Sequence, residues 1–388
     1  MIDIKINNEN LLTLLEDLIR IKSVNQSLSD EGDGEIKIAR YIGEYLKKLG
    51  LDIHYQEVEK NRCNVIGILK GAGGGQSIML NGHTDTVGVE RMEIDPFKPQ
   101  NKDGRIYGRG ALDMKSGLAA QIMAVQSIIE SGKTLKGDVI LTFVADEEYA
   151  SIGTEAVLKK YSADAAIICE PTNLDIIITH KGFAWTKIEV FGRAAHGSLP
   201  EKGIDAIVKA GKLLTEIENL GENRLTQKRH PLLGSPSIHA SLISGGIELS
   251  TYPDYCKIEL ERRTLPGEDH KTVIDEMQSI LQDIKSKDDQ FKADFEVFFF
   301  RPAFEISREE PIVKSLSRAY ELIQGEKPKF KGMGGWIESA LLAEVGIPTV
   351  IFGPSGEGAH SSLEYVDFDS VITTTEILIE SIINFCND

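Results

Sequence analysis

Five short segments of this chain gather side chains able to hold a metal ion. They are Asn81-Gly82-His83-Thr84-Asp85-Thr86, the Gly-rich turn ending in Asp113, Asp146-Glu147-Glu148, Cys169-Glu170-Pro171-Thr172, and the loop carrying His360. Imidazole nitrogen mixed with carboxylate oxygen is the donor set that suits zinc. A lone aspartate before a helix is ordinarily a cap, and a lone loop histidine is ordinarily solvated. Those readings do not explain why two histidines and four acids fall where strands end. His83, Asp113, Glu148, Glu170 and His360 exceed the three protein ligands usual for one catalytic zinc, so two metals sharing a carboxylate are expected. Paired metals activate water and polarise a carbonyl, which is the chemistry of amide hydrolysis. Such a reaction also needs a general base, and the doubled acid Glu147-Glu148 can supply one group to metal and its neighbour to water.

The elements that must position these groups follow from hydrophobic periodicity. Amphipathic helices are expected over Asn10 to Ile21 and Glu35 to Leu49. Strands at Asn64 to Leu69, Ser77 to Leu80, Val139 to Ala145 and Ala165 to Cys169 then alternate with helices at Lys115 to Ser131 and Thr154 to Lys160, an α/β signature. Ligands of open α/β sheets bind beyond the carboxyl ends of the strands, where the His83, Glu147-Glu148, Glu170 and His360 segments lie.

From about residue 180 the texture becomes β-α-β-β-α-β, through Trp185 to Phe191, Ile204 to Glu218, Ser237 to Ile243, Tyr255 to Arg262, Lys271 to Ile284 and Phe291 to Phe300. That order describes a ferredoxin-like α+β sandwich. The expectation is a discontinuous α/β catalytic domain, 1-179 and 298-388, with a mixed central sheet flanked by helices. Residues 180-297 form the inserted domain. The α/β pattern resumes with helices at Pro311 to Ile323, Ile337 to Glu344 and Ser370 to Phe385 and a strand at Thr349 to Phe352. Gly71 to Gly75 precedes a strand and lacks a Gly-Lys-Ser/Thr end, so it reads as a turn and not a nucleotide loop.

Composition excludes several classes. A net charge of -17, with no clustered Lys and Arg, argues against a nucleic-acid partner. The 60 Asp and Glu far exceed one site, so most form a solvated surface. Cys63, Cys169, Cys256 and Cys386 never form Cys-x-x-Cys, so reduced thiols are expected. Met1 to Asn10 has no basic-then-apolar pattern, and no apolar run reaches bilayer length, so no membrane partner and a cytoplasmic location are expected.

Taken together, Gly-His-Thr-Asp-Thr, Gly-Arg-Gly-Ala-Leu-Asp-Met-Lys, Asp-Glu-Glu, Cys-Glu-Pro-Thr and Gly-Ala-His-Ser resemble the dinuclear-zinc deacylase and carboxypeptidase family, which includes acetylornithine deacetylase, succinyl-diaminopimelate desuccinylase and aminoacylase. The resemblance runs in order along essentially the whole chain. It implies two zinc ions, with cobalt able to substitute, bridged by Asp113, with His83 and Glu170 completing one site and Glu148 and His360 the other. It implies Glu147 as general base and Asp85 as the carboxylate that orients His83. The inserted domain corresponds to a lid that commonly pairs two subunits. Its His196 would stabilise the oxyanion, and its Arg263 would bind a substrate carboxylate. The implied substrate is a small N-acyl amino acid, with a dipeptide or carboxypeptidase substrate as the alternative. A non-catalytic metal-binding dimerisation protein is the remote one. Two positions depart from the family pattern: Gly334-Gly335-Trp336-Ile337-Glu338-Ser339, where Asp is common, and Asp205, where Asn is frequent.

Overall fold

The computed structural model describes residues 4–387, which divide into two compact units. The first holds residues up to Ile178, Ile306–Lys331 and Leu341 onward. Across its central sheet the strands run Asp52–Glu59, Arg62–Leu69, Val139–Val144, Ile78–His83, Ala165–Ile168 and Thr349–Ile351. The first two pair antiparallel, Arg62–Leu69 pairs antiparallel with Val139–Val144, and the last four are mutually parallel. The expected mixed sheet flanked by helices is therefore present. Its parallel centre is buried on both faces, as the unbroken apolar runs Val139–Val144 and Ala165–Ile168 require.

Parallel pairing makes these four strands end at one edge, so the segments following each of them are neighbours. The helix Lys115–Glu130 is buried from Lys115 through Ile128, and it packs on Asn8–Arg20 and Phe368–Asn387. It reads apolar nearly all round because it is covered nearly all round. Gly117, in its first turn, has no room for a Cβ against the Cys169 carbonyl. A glycine there lets the helix that follows Asp113 lie directly on the strand end that delivers Glu170.

A small antiparallel sheet was not expected from periodicity. It orders Gly356–Glu357, Tyr365–Asp367, Arg105–Tyr107 and Gln100–Lys102. Tyr365, Val366 and Asp367 pair with Tyr107, Ile106 and Arg105. This joins the loop containing His360 to the loop containing Asp113, nearly 250 residues away in sequence. Strands of two or three residues carry too little pattern to be read in advance.

The second unit comprises Thr179–Glu305 and Gly332–Ala340. Four antiparallel strands stand in the order Ser237–Gly245, Tyr255–Thr264, Gly182–Phe191 and Lys292–Arg301. Helices Ala206–Asn219 and His270–Lys287 cover one face through Leu213, Ile217, Met277, Ile280 and Ile284, which pack on Ile188, Val190, Ile258 and Leu260. Asp205 caps the first helix, its side chain accepting from the Val208 N–H, a task Asn or Asp performs equally. The unit extends past residue 297, because its last long strand continues to Arg301 and Phe304–Glu305 then pairs antiparallel with Thr179–His180. It also takes in Gly332–Ala340, where Trp336 Nε1 donates to the Pro302 carbonyl at 3.1 Å.

Candidate metal centre

His83 is the last residue of its strand, 1 % exposed, and Asp113 lies at the turn before the helix Lys115–Glu130. His83 Nε2 stands 3.1 Å from Asp113 Oδ1 and 3.6 Å from Glu170 Oε1. On the other side of the same carboxylate, His360 Nε2 stands 3.4 Å from Asp113 Oδ2 and 3.0 Å from Glu148 Oε2. The structure thus forms two ligand clusters, His83–Asp113–Glu170 and Asp113–Glu148–His360, with donor atoms within 4.8 Å of one another in each. They share Asp113, one oxygen to each.

The donor chemistry fits a divalent cation at each cluster. Asp113 and Glu148 have no lysine or arginine within 4 Å among the described residues, and Glu148 Oε1 is buried without a hydrogen-bond partner. An uncompensated buried carboxylate oxygen is costly unless a cation meets it. The same crowding governs titration. Burial opposes charge on His83, but Glu170, Asp113, Asp85 and Glu147 raise its pKa well above the ordinary histidine value. Hydrogen bonds that His360 donates to the Asp113 and Glu148 carboxylates push it up to about 10. Burial, and then the Asp113 charge, raise Glu148 above the usual carboxylate range.

Glu147 Oε2 lies 3.9 Å from His83 Nε2, beside the clusters and in neither. Glu147 and Glu148 diverge because the turn begins at Asp146 with φ 71°, a left-handed backbone that breaks the alternation of a strand.

Asp85 touches more than the imidazole of His83. His83 Nδ1 is 3.0 Å from the Asp85 main-chain carbonyl and 3.6 Å from its carboxylate. That carboxylate accepts the Glu147 and Glu148 N–H groups, each at 3.2 Å, and the Asn25 side-chain amide at 2.7 Å. It therefore fixes the Glu147-Glu148 turn as well as facing the histidine. Asn25 Nδ2 also donates to Asp146, and Asp146 pairs with the buried Arg62, whose Nη2 donates back to Asn25 Oδ1 at 2.8 Å. Burial, and then the Asp85 charge, push the neighbouring Glu35 up to about 8.

Glu364 performs the matching task for the other loop. Fully buried, it accepts Arg109 Nη1 at 2.7 Å and the backbone N–H groups of Gly110, Leu112 and Asp113 at 3.1, 2.9 and 3.0 Å. Sequence reading missed Asn25, Arg62 and Glu364. Arg109 in the Gly-Arg-Gly turn was the available signal, since a buried arginine demands a carboxylate.

His196 and Arg263 belong to the second unit. His196 is exposed in a loop tied down by a bridge to Thr251 and by Gly197 N–H on the Ser250 carbonyl. Its Nδ1 accepts the Ser198 N–H at 3.2 Å, so a neutral ring carries its proton on Nε2. Arg263 Nε donates to Glu261 Oε1 at 2.7 Å.

A profile described as Peptidase family M20/M25/M40 matches residues 79–384. N-formyl-4-amino-5-aminomethyl-2-methylpyrimidine deformylase of Bacillus subtilis is 29% identical to this chain, over 90% of it and 89% of that protein. Acetylornithine deacetylase of Myxococcus xanthus is 26% identical over 93% of each. Among solved structures, the aminopeptidase PepT of Bacillus cereus superposes with a TM-score of 0.82 at 22% identity, over 99% of this chain and 100% of that one. A dinuclear metal binding M20 peptidase of Bacillus subtilis does so with a TM-score of 0.76 at 18% identity, over 98% and 99%. Two clusters sharing one carboxylate at the ends of parallel strands, inside a matched span of this length, place the chain in one group: it belongs to the peptidase family M20/M25/M40 and is a metal-dependent hydrolase.

Proposed function

We propose that this protein hydrolyses the amide bond of a small N-acyl amino acid, the deacylation for which its acetylornithine deacetylase relatives are named. The observation that carries the reading is the shared Asp113 between two ligand clusters with Glu147 beside them. Two zinc ions, or cobalt in their place, held by His83, Asp113, Glu148, Glu170 and His360 would polarise the carbonyl and acidify a water. Glu147 takes the proton of the attacking water and returns it to the nitrogen as the C–N bond breaks, leaving a carboxylate and a free amine. Asp85 keeps Glu147 in place through its backbone N–H. His196, with its proton on Nε2, donates to the carbonyl oxygen as negative charge develops there. Arg263 takes the substrate carboxylate through its planar guanidinium.

The same reading makes the protein a cytoplasmic homodimer with no nucleic-acid or membrane partner. No described helix is long and apolar enough to cross a membrane. The edge strand Ser237–Gly245 of the second unit is exposed along most of its length and displays Leu242 and Ile243. An open apolar edge favours strand pairing with a second copy.

Free-amine release from N-acetyl and N-succinyl amino acids and from dipeptides, with zinc, cobalt or chelator, tests the proposal. Metal-dependent release from the acyl amino acids is expected, and release from dipeptides alone would make the protein a peptidase. Glu147→Ala should keep its metal and lose about 10²–10⁴-fold in kcat. Near-normal turnover in that variant would remove Glu147 from the role of base.

A further inference from the structure

The strand Gly182–Phe191 alternates buried and part-exposed residues, and its buried set faces the two helices of the second unit. A strand face without helices is expected to be polar. That holds in the middle of the strand, where Lys187 and Glu189 lie, with Phe191 against Tyr255 beyond them. At the other end the same face carries Phe183 and Trp185, and their cross-strand partners are Arg263 and Glu261 on one side and Arg301 and Phe299 on the other. Trp185 and Phe299 stack with ring centroids 5.1 Å apart, Phe183 lies 5.3 Å from Trp185, and Trp336 meets Phe183 edge-on at 6.2 Å. Rings gathered where the pattern calls for polar residues mark a binding surface.

Arg263 completes this surface. Its guanidinium lies over the Phe183 ring, 5.2 Å from the centroid. Glu261 accepts Arg263 Nε with one carboxylate oxygen and Trp185 Nε1 with the other, at 2.7 and 3.0 Å. Arginine and tryptophan are thereby set in a fixed relation, and among the described residues neither Nη1 nor Nη2 of Arg263 donates a hydrogen bond. Those two parallel N–H groups are the edge that grips a carboxylate in bidentate fashion. Beside it, the Lys181 ammonium is depressed by burial and by the charges of Arg263 and Arg262, so the region repels a further cation.

We propose that the substrate carries an aromatic side chain next to its free carboxylate, and that this surface reads both: Arg263 grips the carboxylate while Trp185, Phe299 and Trp336 stack on the ring. The inference rests on the proposed role of Arg263 and narrows the amino-acid part of the substrate to aromatic over cationic side chains. Trp336 lies in the segment Gly334 to Ser339, one of the two places where the sequence departs from the family pattern.

Trp185 and Trp336 are the chain's only two tryptophans, so their emission reports on this surface without interference. Glu147→Gln protein, blocked for turnover, is titrated with N-acetylphenylalanine and with N-acetylornithine while tryptophan emission is followed. N-acetylphenylalanine should bind about tenfold tighter or more, as stacking on an aromatic wall warrants. Adding Trp336→Ala should erase that preference, Trp336→Phe should retain most of it, and Arg263→Ala should weaken both ligands. Equal affinity for the two ligands, or a preference untouched by Trp336→Ala, overturns the inference and leaves the deacylase reading standing. Failure of either ligand to bind, with no acyl amino acid hydrolysed by the parent enzyme, overturns both.

Discussion

Both units close buried charges into pairs, as Arg62 with Asp146 and Arg109 with Glu364 in the first, but the first also gathers carboxylates that no described lysine or arginine answers. In the first, Asp113, Glu147, Glu148 and Glu170 converge on two imidazoles, and Asp113 and Glu148 have no lysine or arginine at hand among the described residues. In the second, Arg262 is buried but answered by Glu276 at 3.0 Å and Glu268 at 3.0 Å, and Lys209 and Lys212 both meet Asp288. Charges closed among themselves stabilise a fold. Charges of one sign left together wait for a ligand, because their mutual repulsion is relieved only when something of opposite sign arrives.

The largest effect is expected at the shared carboxylate. Asp113→Ala should abolish binding of both metals, measured by metal content after dialysis. Activity should fall by more than about 10³-fold, since a bound metal supplies several kcal/mol of transition-state stabilisation. Zinc or cobalt at a thousandfold excess over its dissociation constant should stabilise the parent protein by about 4 kcal/mol for each site filled and leave the variant unmoved. Retention of one metal with partial activity would mean the two clusters are independent.

The matching change in the second unit is Arg262→Met. It leaves the buried Glu276 and the part-buried Glu268 with only the Lys228 ammonium among the described cations, at 3.5 and 2.6 Å, at a cost of up to about 3 kcal/mol in stability. Urea unfolding followed by tryptophan emission should show that loss equally in metal-loaded and metal-stripped protein. A loss present only in one of the two would contradict the division drawn between self-satisfied and ligand-seeking charge.

How much of this was legible in the sequence follows the same division. His83, Glu148 and Glu170 could be read because apolar strands end just before them, and a metal donor at a strand end is conspicuous. The ferredoxin-like order was legible because its strands and helices are long and their periods distinct. What holds the ligands was not legible. Asn25 reaches Asp85 across 60 positions and Glu364 reaches Arg109 across 255, and single polar residues at such separations leave no periodic trace. The meeting of His360 with Asp113 was legible only through the family resemblance and not through periodicity, since strands of two and three residues create it. The resemblance ties the Asp85 carboxylate to His83 alone, and its hold on the Glu147-Glu148 turn is visible only when backbone N–H groups have positions. The aromatic end of the second unit's sheet was visible as residues, but the bulge between Val297 and Phe299 decides which ring joins the face.

A buried neutral histidine offers the smallest test, because it is satisfied in the second unit's manner and yet titratable. His180 is fully buried, its Nε2 2.8 Å from Ser339 Oγ and its Nδ1 2.9 Å from the Lys181 carbonyl, with Phe304 stacked on the ring. Burial lowers its pKa from 6.5 to about 4, against the hydrogen bonds that would raise it. Between those two values the unfolded chain binds a proton that the folded chain refuses, so stability falls as the pH drops through 6.5 and keeps falling until about 4. The loss attributable to this residue should reach about 2 kcal/mol at pH 5. His180→Gln keeps a hydrogen-bonding side chain and removes the titration, so its urea midpoint should decline less than the parent's between pH 7 and pH 5. Trp336, 6.2 Å from the His180 ring, makes the emission a local readout. Parallel declines in the two proteins would mean that His180 is protonated inside the fold, and that this part of the second unit is open to ligands in the way the metal centre is.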